Sequence, residues 1–209
     1  MSIRHPIVRA AAEYFGGLPA AVWRFASVSL PEADAPDEDC LVGLYLVTTT
    51  GIRPRLEIWP FATTIATGKV IGGVGEALLS AVASGSLGDG GSSSFGSLTV
   101  AREAIEEAMY RREEAERARA TRDNRAEVSR QISIQRAKVQ ADRRKREELL
   151  TNPSLDGSMQ RLHLGAIRNA QDRLEEVVND LERKRGLTMM SELLAFAVVA
   201  GRSSEEVTR

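Results

Sequence analysis

The sequence predicts an α+β fold: a small antiparallel sheet with flanking short helices and a long projecting antiparallel helical hairpin, a coiled coil. Residues 22–70 contain short segments of alternating or β-branched apolar residues, a pattern typical of strands. Residues 98–150 contain no glycine or proline and are rich in Ala, Arg, Glu and Gln, which favours one long helix. Residues 193–199 form a continuous apolar run, which indicates a further buried strand.

The first part of the chain, residues 1–84, is predicted to be the α+β body. A short helix is expected at residues 5–15, because Pro6 fits the first turn of a helix and Gly16 and Gly17 follow it. Three antiparallel strands come next, with room for a fourth near Ile65. These strands are expected in residues 22–30, 40–50 and 55–61, and a short helix in residues 75–83.

A Gly/Ser-rich segment, residues 85–97, is predicted to be a flexible linker and the clearest boundary in the chain. The long helix after it could be interrupted at residues 121–124, where the sequence is TRDN. Asn152 and Pro153 are expected to end that helix, and the Asp156-Gly157-Ser158 segment to begin the next one.

The second helix carries an apolar seam that steps by three and four residues, the spacing of a coiled coil. A short connection makes the two helices antiparallel neighbours, and Gly186 would end the second. The hairpin is therefore assigned to residues 98–186. Residues 193–199 are expected to return to the sheet, and residues 200–209 to form a flexible tail. The seam consists of Ile167, Ala170, Leu174, Val177 and Leu181.

The sequence contains no set of residues typical of an enzyme. It has neither a phosphate-binding loop nor a nucleophile elbow, and its two histidines, His5 and His163, are 158 positions apart. Cys40 is the only cysteine, which excludes an intrachain disulfide and leaves too few ligands for zinc. Trp23 and Trp59 could line a small-molecule pocket, but membership of the core is the simpler interpretation. We therefore expect no enzymatic activity, no catalytic residue, no metal and no cofactor.

The ends and the apolar runs predict a cytoplasmic protein with no membrane contact. The N-terminus lacks the long apolar run of a secretory signal. The most apolar later segment, LLAFAVVAG, is about half the length of a membrane-spanning helix. A single cysteine is consistent with a reducing compartment.

The charge of the chain is unevenly distributed, although the net charge is only −1. Residues 117–146 contain 11 basic and 3 acidic side chains. Basic side chains along a helix can neutralise successive phosphates of a nucleic-acid backbone. Base stacking is not expected, because residues 111–195 contain no aromatic side chain. The candidate nucleic-acid-binding residues are Arg130, Arg136, Lys138, Arg143, Arg144, Lys145 and Arg146.

Two other interpretations of this basic run stay open. The cations could form salt bridges with Glu175, Glu176 and Glu182 across the hairpin, which would make the hairpin purely structural. They could also form a surface for another protein. A related alternative is a structural or oligomerising coiled-coil protein, in which the seam pairs between two chains to give a homodimer.

The order of these elements resembles the C-terminal region of bacterial Swi/Snf-type (superfamily two) helicases, a group that includes the RNA-polymerase-associated ATPase and helicases of phage-defence islands. The resemblance covers about residues 4–200. It rests on the start of the first helix, HPIV at residues 5–8, then the sheet, the linker, the charged hairpin and the LLAFAVVAG segment.

The resemblance implies an accessory role. The family's two ATPase lobes have no counterpart in this sequence, so no catalytic residue carries over. The implied partners are a helicase motor or a polymerase, together with a DNA or RNA backbone.

Overall fold

The computed structural model describes residues 25–90 and 98–202, which contain six strands and three helices. They fall into two compact units. Within the described residues, unit 1 comprises residues 25–49, 55–90, 98–116 and 189–202, and unit 2 comprises residues 50–54 and 117–188. The predicted helix at residues 5–15 lies outside the described residues, as does most of the predicted tail.

Unit 1 contains all six strands and one complete helix, and the longest helix begins in it. The strands are β1 (Phe25–Ser29), β2 (Cys40–Thr49), β3 (Arg55–Thr64), β4 (Val70–Ile71), β5 (Gly88–Asp89) and β6 (Met189–Val199). The helices are α1 (Val74–Ser84), α2 (Thr99–Leu150) and α3 (Gly157–Arg183).

The six strands form one sheet in the order β4-β3-β2-β6-β1-β5. The sequence predicts four strands with room for a fifth, and the sheet has six. It is mixed, because β1 and β6 are parallel while the other neighbours are antiparallel. The prediction of an antiparallel sheet is therefore correct for most pairs and wrong for this one. The prediction that the final apolar segment returns to the sheet is confirmed, since β6 lies between β2 and β1.

The short strands differ most from the sequence prediction. Ile65 lies in a turn, and the fourth strand is β4, which pairs with the end of β3. Strand β5 lies inside residues 85–97, which the sequence predicts to be a linker, and pairs with β1. Residues 98–116, assigned to the hairpin by sequence, belong to the same compact unit as the sheet.

Helix α1 covers one face of the sheet. Its apolar residues Val74, Leu78 and Ala81 pack in one buried cluster with Val42 of β2 and Val199 of β6. Successive side chains of a strand point to opposite faces, so Gly43 belongs to the other face. Burial of this cluster holds α1 on the sheet.

The first part of α2 covers the opposite face. Ile105 of α2 is fully buried and lies so close to Gly43 that a Cβ on this glycine would be 2.8 Å from its Cγ2. Thr63 Oγ1 donates a hydrogen bond to the carbonyl oxygen of Ala101 at 3.1 Å. The guanidinium of Arg112 lies 4.5 Å from the ring centroid of Trp59. Unit 1 is thus a sheet covered on both faces by helix.

Helix α2 is continuous over 52 residues. The predicted interruption at residues 121–124 is wrong: these residues are helical, and Asn124 is buried. The predicted end of the helix before Asn152-Pro153 is confirmed. Asp156 caps α3 as expected, since its side chain accepts a hydrogen bond from the backbone N–H of Met159 at 2.8 Å.

The half-buried side of α3 includes four of the five residues predicted for the seam, and the coiled-coil packing itself stays a prediction. Ile167, Ala170, Leu174 and Leu181 are half-buried, but Val177 is exposed and Val178 is half-buried in its place. A regular helix has 3.6 residues per turn, so a step of four from Leu174 keeps the stripe on one side. No α3 residue is fully buried.

Within the described residues, no helix is both long and apolar enough to cross a membrane.

Candidate nucleic-acid interface

The division of charge coincides with the division into units. The described part of unit 1 contains 6 basic and 15 acidic side chains, while unit 2 contains 18 basic and 11 acidic ones. Helix α2 contributes to both, and its charge changes sign along its length: residues 99–116 contain 3 basic and 6 acidic side chains, before the basic run at 117–146. Unit 2 is therefore the part of the protein that an anionic polymer would favour.

Three of the seven candidate residues are neutralised by a carboxylate on their own helix. Arg130 donates two hydrogen bonds to Glu127, at 2.8 and 2.7 Å. Arg143 donates to Glu147 at 2.6 Å, and Arg146 donates to Asp142 at 2.8 Å. Each pair joins residues three or four positions apart, which are neighbours on a helix surface. These cations are less available to a phosphate because they must first exchange a partner.

Glu127 is the most strongly perturbed acid of unit 2. It accepts hydrogen bonds from Arg130 and from Gln131, and Arg53 of the 50–54 loop approaches it to 2.9 Å. These interactions, above all the hydrogen bonds from Arg130, lower the pKa of Glu127 from 4.5 to about 2. The same contact raises the pKa of Arg130. The cluster fixes the 50–54 loop against α2 at the start of the basic run.

The other four candidates are exposed and have no ion pair within 4.0 Å in the described part of the chain: Arg136, Lys138, Arg144 and Lys145. Arg136 has no ion pair on its own helix because Ile132 and Gln140, four positions away, carry no charge. None of these four residues forms a salt bridge within 4.0 Å across the hairpin among the described residues, but Arg136 faces Glu182 of α3, a carboxyl group whose pKa is lowered by Arg185 and, less strongly, by Arg136. All four can bind a phosphate without breaking a salt bridge of their own.

Asn124 fixes the position of the helices that carry these cations. Its Nδ2 donates hydrogen bonds to the carbonyl oxygens of Lys184 and Arg185, at 2.9 and 3.0 Å. Its Oδ1 accepts one from the backbone N–H of Ile52 at 2.9 Å. One buried amide therefore joins α2, the end of α3 and the 50–54 loop. The signal in the sequence is that Asn124 occupies the same stripe as Val128 and Ile132, both buried.

Helices α2 and α3 also line a common groove of about 390 Å³. Lys138 of α2 and Arg173 of α3 lie at this groove, and Val139, Ala170 and Leu174 contribute its apolar surface. We call it the Lys138–Arg173 groove. Arg173 is not among the residues that the sequence singles out, because its segment has no net positive charge.

Other residues considered from the sequence do not form a second site. Trp59 is buried in unit 1 beneath Arg112, which confirms its place in the core. His163 is half-buried on α3, and its Nδ1 has no hydrogen-bond partner among the described residues. Trp23 and His5 lie outside the described residues. Within residues 25–90 and 98–202, no three His, Cys, Asp or Glu side chains are grouped so that they could hold a metal ion.

Comparison with known proteins places the chain in no group: it matches no protein family, no curated protein and no solved structure.

Proposed function

We propose that this chain is a non-catalytic accessory module of a helicase or nucleic-acid-remodelling system in the cytoplasm, and that unit 2 contacts the nucleic-acid backbone. The observation that carries this proposal is the set of four unpaired, exposed cations on α2, in a unit with 18 basic and 11 acidic side chains. Unpaired cations gain the most from a phosphate, because binding releases counterions without breaking a protein ion pair.

The expected mode of binding is sequence-independent. Unit 2 contains no Phe, Tyr or Trp, so it has no aromatic side chain on which a base could stack. Arg and Lys on the outside of a helix contact phosphate oxygens, which carry no sequence information. The proposal therefore concerns the backbone of DNA or RNA and not the recognition of bases.

Docking on a motor protein or a polymerase is the second part of the proposal, and it follows the resemblance to the C-terminal region of Swi/Snf-type helicases. One structural observation favours a protein contact. The ends of α2 and α3 that flank their connection expose four large apolar side chains, whose burial would favour a protein partner. They are Leu149, Met159, Leu162 and Leu164, and all are between 42% and 60% exposed.

A variant that removes only the unpaired cations tests the nucleic-acid part. In this variant Arg136, Lys138, Arg144 and Lys145 are changed to Gln. Its binding to a duplex of arbitrary sequence should weaken, and the slope of log K against log salt should flatten by about 3 to 4, since each phosphate contact contributes about 0.9.

A matched control removes the same number of charges from unit 1. Arg55, Lys69, Arg102 and Arg111 are exposed there, and their change to Gln gives the same net charge as the test variant. The control should keep the slope of the unmodified protein. Equal losses in the two variants would mean that total charge alone governs binding, and would refute an interface on α2.

The alternative is a structural protein whose coiled-coil seam pairs between chains. The hydrogen bonds of Asn124 to Lys184 and Arg185, and the groove lined by both helices, support pairing of α2 with α3 within one chain. Light scattering distinguishes the two ideas. A monomer mass at concentrations well above micromolar supports the intramolecular hairpin, and a stable dimer supports the alternative.

A further inference from the structure

The Lys138–Arg173 groove brings together two cations from different helices. The groove has a volume of about 390 Å³. Lys138 comes from α2 and Arg173 from α3, and the side chains of Val139, Ala170 and Leu174 also line the groove. Both cations are exposed.

Neither cation is neutralised by a carboxylate in the described part of the chain. Asn169 and Val177, the residues four positions before and after Arg173, are uncharged, and Glu176, three positions after it, forms no salt bridge with it within 4.0 Å among the described residues. Asp142 lies four positions after Lys138 and also lines the groove, but Arg146 donates to its carboxylate at 2.8 Å. The only acid of the groove is thus already paired.

Two like charges at one groove repel each other, and an anion placed between them removes that repulsion. The apolar side chains at the groove lower the local dielectric constant, which strengthens the attraction to an anion compared with a fully solvated site. A phosphate diester suits this arrangement, because its two free oxygens can accept one hydrogen bond from each cation and its sugar can lie on the apolar surface. Arg173 can donate two hydrogen bonds and Lys138 acts as a point charge.

We propose that Lys138 and Arg173 together bind one backbone phosphate of the nucleic acid. This site rests on the proposed function, and it adds α3 to an interface that the sequence confines to α2. It also predicts that the two residues act on the same phosphate and not independently.

The first test compares Arg173→Gln with Arg168→Gln in the full chain. Arg168 is an exposed arginine five positions earlier on α3, about 140° away around the helix, so its loss changes the net charge equally. Binding to a duplex of arbitrary sequence is measured across a salt series. Arg173→Gln should reduce the salt slope by about 1, and Arg168→Gln by clearly less. Arg173→Lys, which keeps the charge, should retain most of the slope.

The second test is a double-mutant cycle of Lys138→Gln and Arg173→Gln. If both cations hold one phosphate, the double variant should lose at least about twofold less affinity than the product of the two single losses. An additive loss would mean two independent contacts and would overturn the shared site.

The outcomes also separate this site from the proposed function. If Arg173→Gln behaves like Arg168→Gln while the four-cation variant of α2 still weakens binding, the shared site is wrong and the α2 interface stands. If no variant changes the binding, both proposals fail. Binding of inorganic phosphate by the groove, without any binding of duplex, would also contradict the site proposed here.

Discussion

Asn124 and Ile52 are joined by a hydrogen bond in which the backbone N–H of Ile52 donates to Asn124 Oδ1 at 2.9 Å, although they are 72 residues apart. Gly51 makes this approach possible. Its φ is 135°, and a Cβ at this position would lie 2.7 Å from Asn124 Oδ1. Glycine tolerates such a positive φ, which costs other residues energy. The loop between β2 and β3 is thereby held against α2.

Replacement of Asn124 by Ala should destabilise the protein strongly. The change removes three hydrogen bonds, each worth about 1 kcal/mol, and leaves partly buried backbone partners unsatisfied, so we expect a loss of about 2–4 kcal/mol in the free energy of unfolding. Urea denaturation measures it. Asn179→Ala on the exposed side of α3 is the control and should change stability by less than about 0.5 kcal/mol. Similar values for the two variants would show that the Asn124 contacts are not formed.

A pair of glycine substitutions tests the packing of α2 on the sheet. Gly43→Ala should destabilise by about 1–3 kcal/mol, because the new Cβ would lie 2.8 Å from Ile105 Cγ2 and 3.2 Å from Phe196. Gly165→Ala should stabilise by about 0.5–1 kcal/mol, since Gly165 lies within α3 and its Cβ would have no atom within 4 Å. Thermal unfolding of the two variants should therefore shift in opposite directions. An unchanged unfolding temperature for Gly43→Ala would mean that Ile105 does not pack against Gly43.

Glu127 should make stability depend on pH in the acid range. Its pKa is lowered from 4.5 to about 2 in the folded protein, so its contribution is complete above about pH 4.5 and is lost as the pH falls towards 2. In Glu127→Gln this part of the acid-induced loss should disappear. Glu176→Gln, an exposed carboxylate of α3, should retain it. An NMR titration that places the Glu127 midpoint near its ordinary value would contradict the ion-pair cluster.

Cys40 should be chemically inert in the folded protein. Its side chain is fully buried at the start of β2, and burial, with smaller effects from Asp39 and Glu38, raises the pKa of its thiol to about 11. The thiolate is the reactive form, so a thiol reagent at about pH 8 should react far more slowly with folded than with urea-unfolded protein. Equal rates in the two states would place Cys40 at the surface.

The elements that local sequence predicts well are those with strong intrinsic preferences. Strand β2 is rich in β-branched residues, α2 lacks glycine and proline, and Asp156 is followed by a helix. The features that the sequence did not predict depend on residues that are distant along the chain. Gly88 and Asp89 have no strand preference and form β5 only because β1 is beside them. The parallel pairing of β1 with β6 joins residues about 170 positions apart.

In the candidate site too, some features follow from local sequence and others depend on distant residues. Sequence identifies the basic run, and the spacing of Arg143 to Glu147 and of Arg146 to Asp142 explains why these cations are paired. Spacing alone fails for Arg144, since Glu148 lies four positions later and is not within 4.0 Å of it among the described contacts. The place of Arg173 at the groove could not be found from sequence, because it depends on helix α2 beside it.

The most direct test of the central claim is the affinity of the full chain for a duplex of arbitrary sequence, measured from about 50 to about 200 mM salt. Four phosphate contacts through the unpaired cations predict a slope of about −3.6 and a loss of affinity of about a hundredfold over this range. A steep loss that is the same for unrelated sequences would establish that the chain binds the nucleic-acid backbone, and the four-cation variant then assigns the binding to unit 2. No binding at the lowest salt, or a slope near zero, would contradict that claim and leave protein partners as the role of these cations.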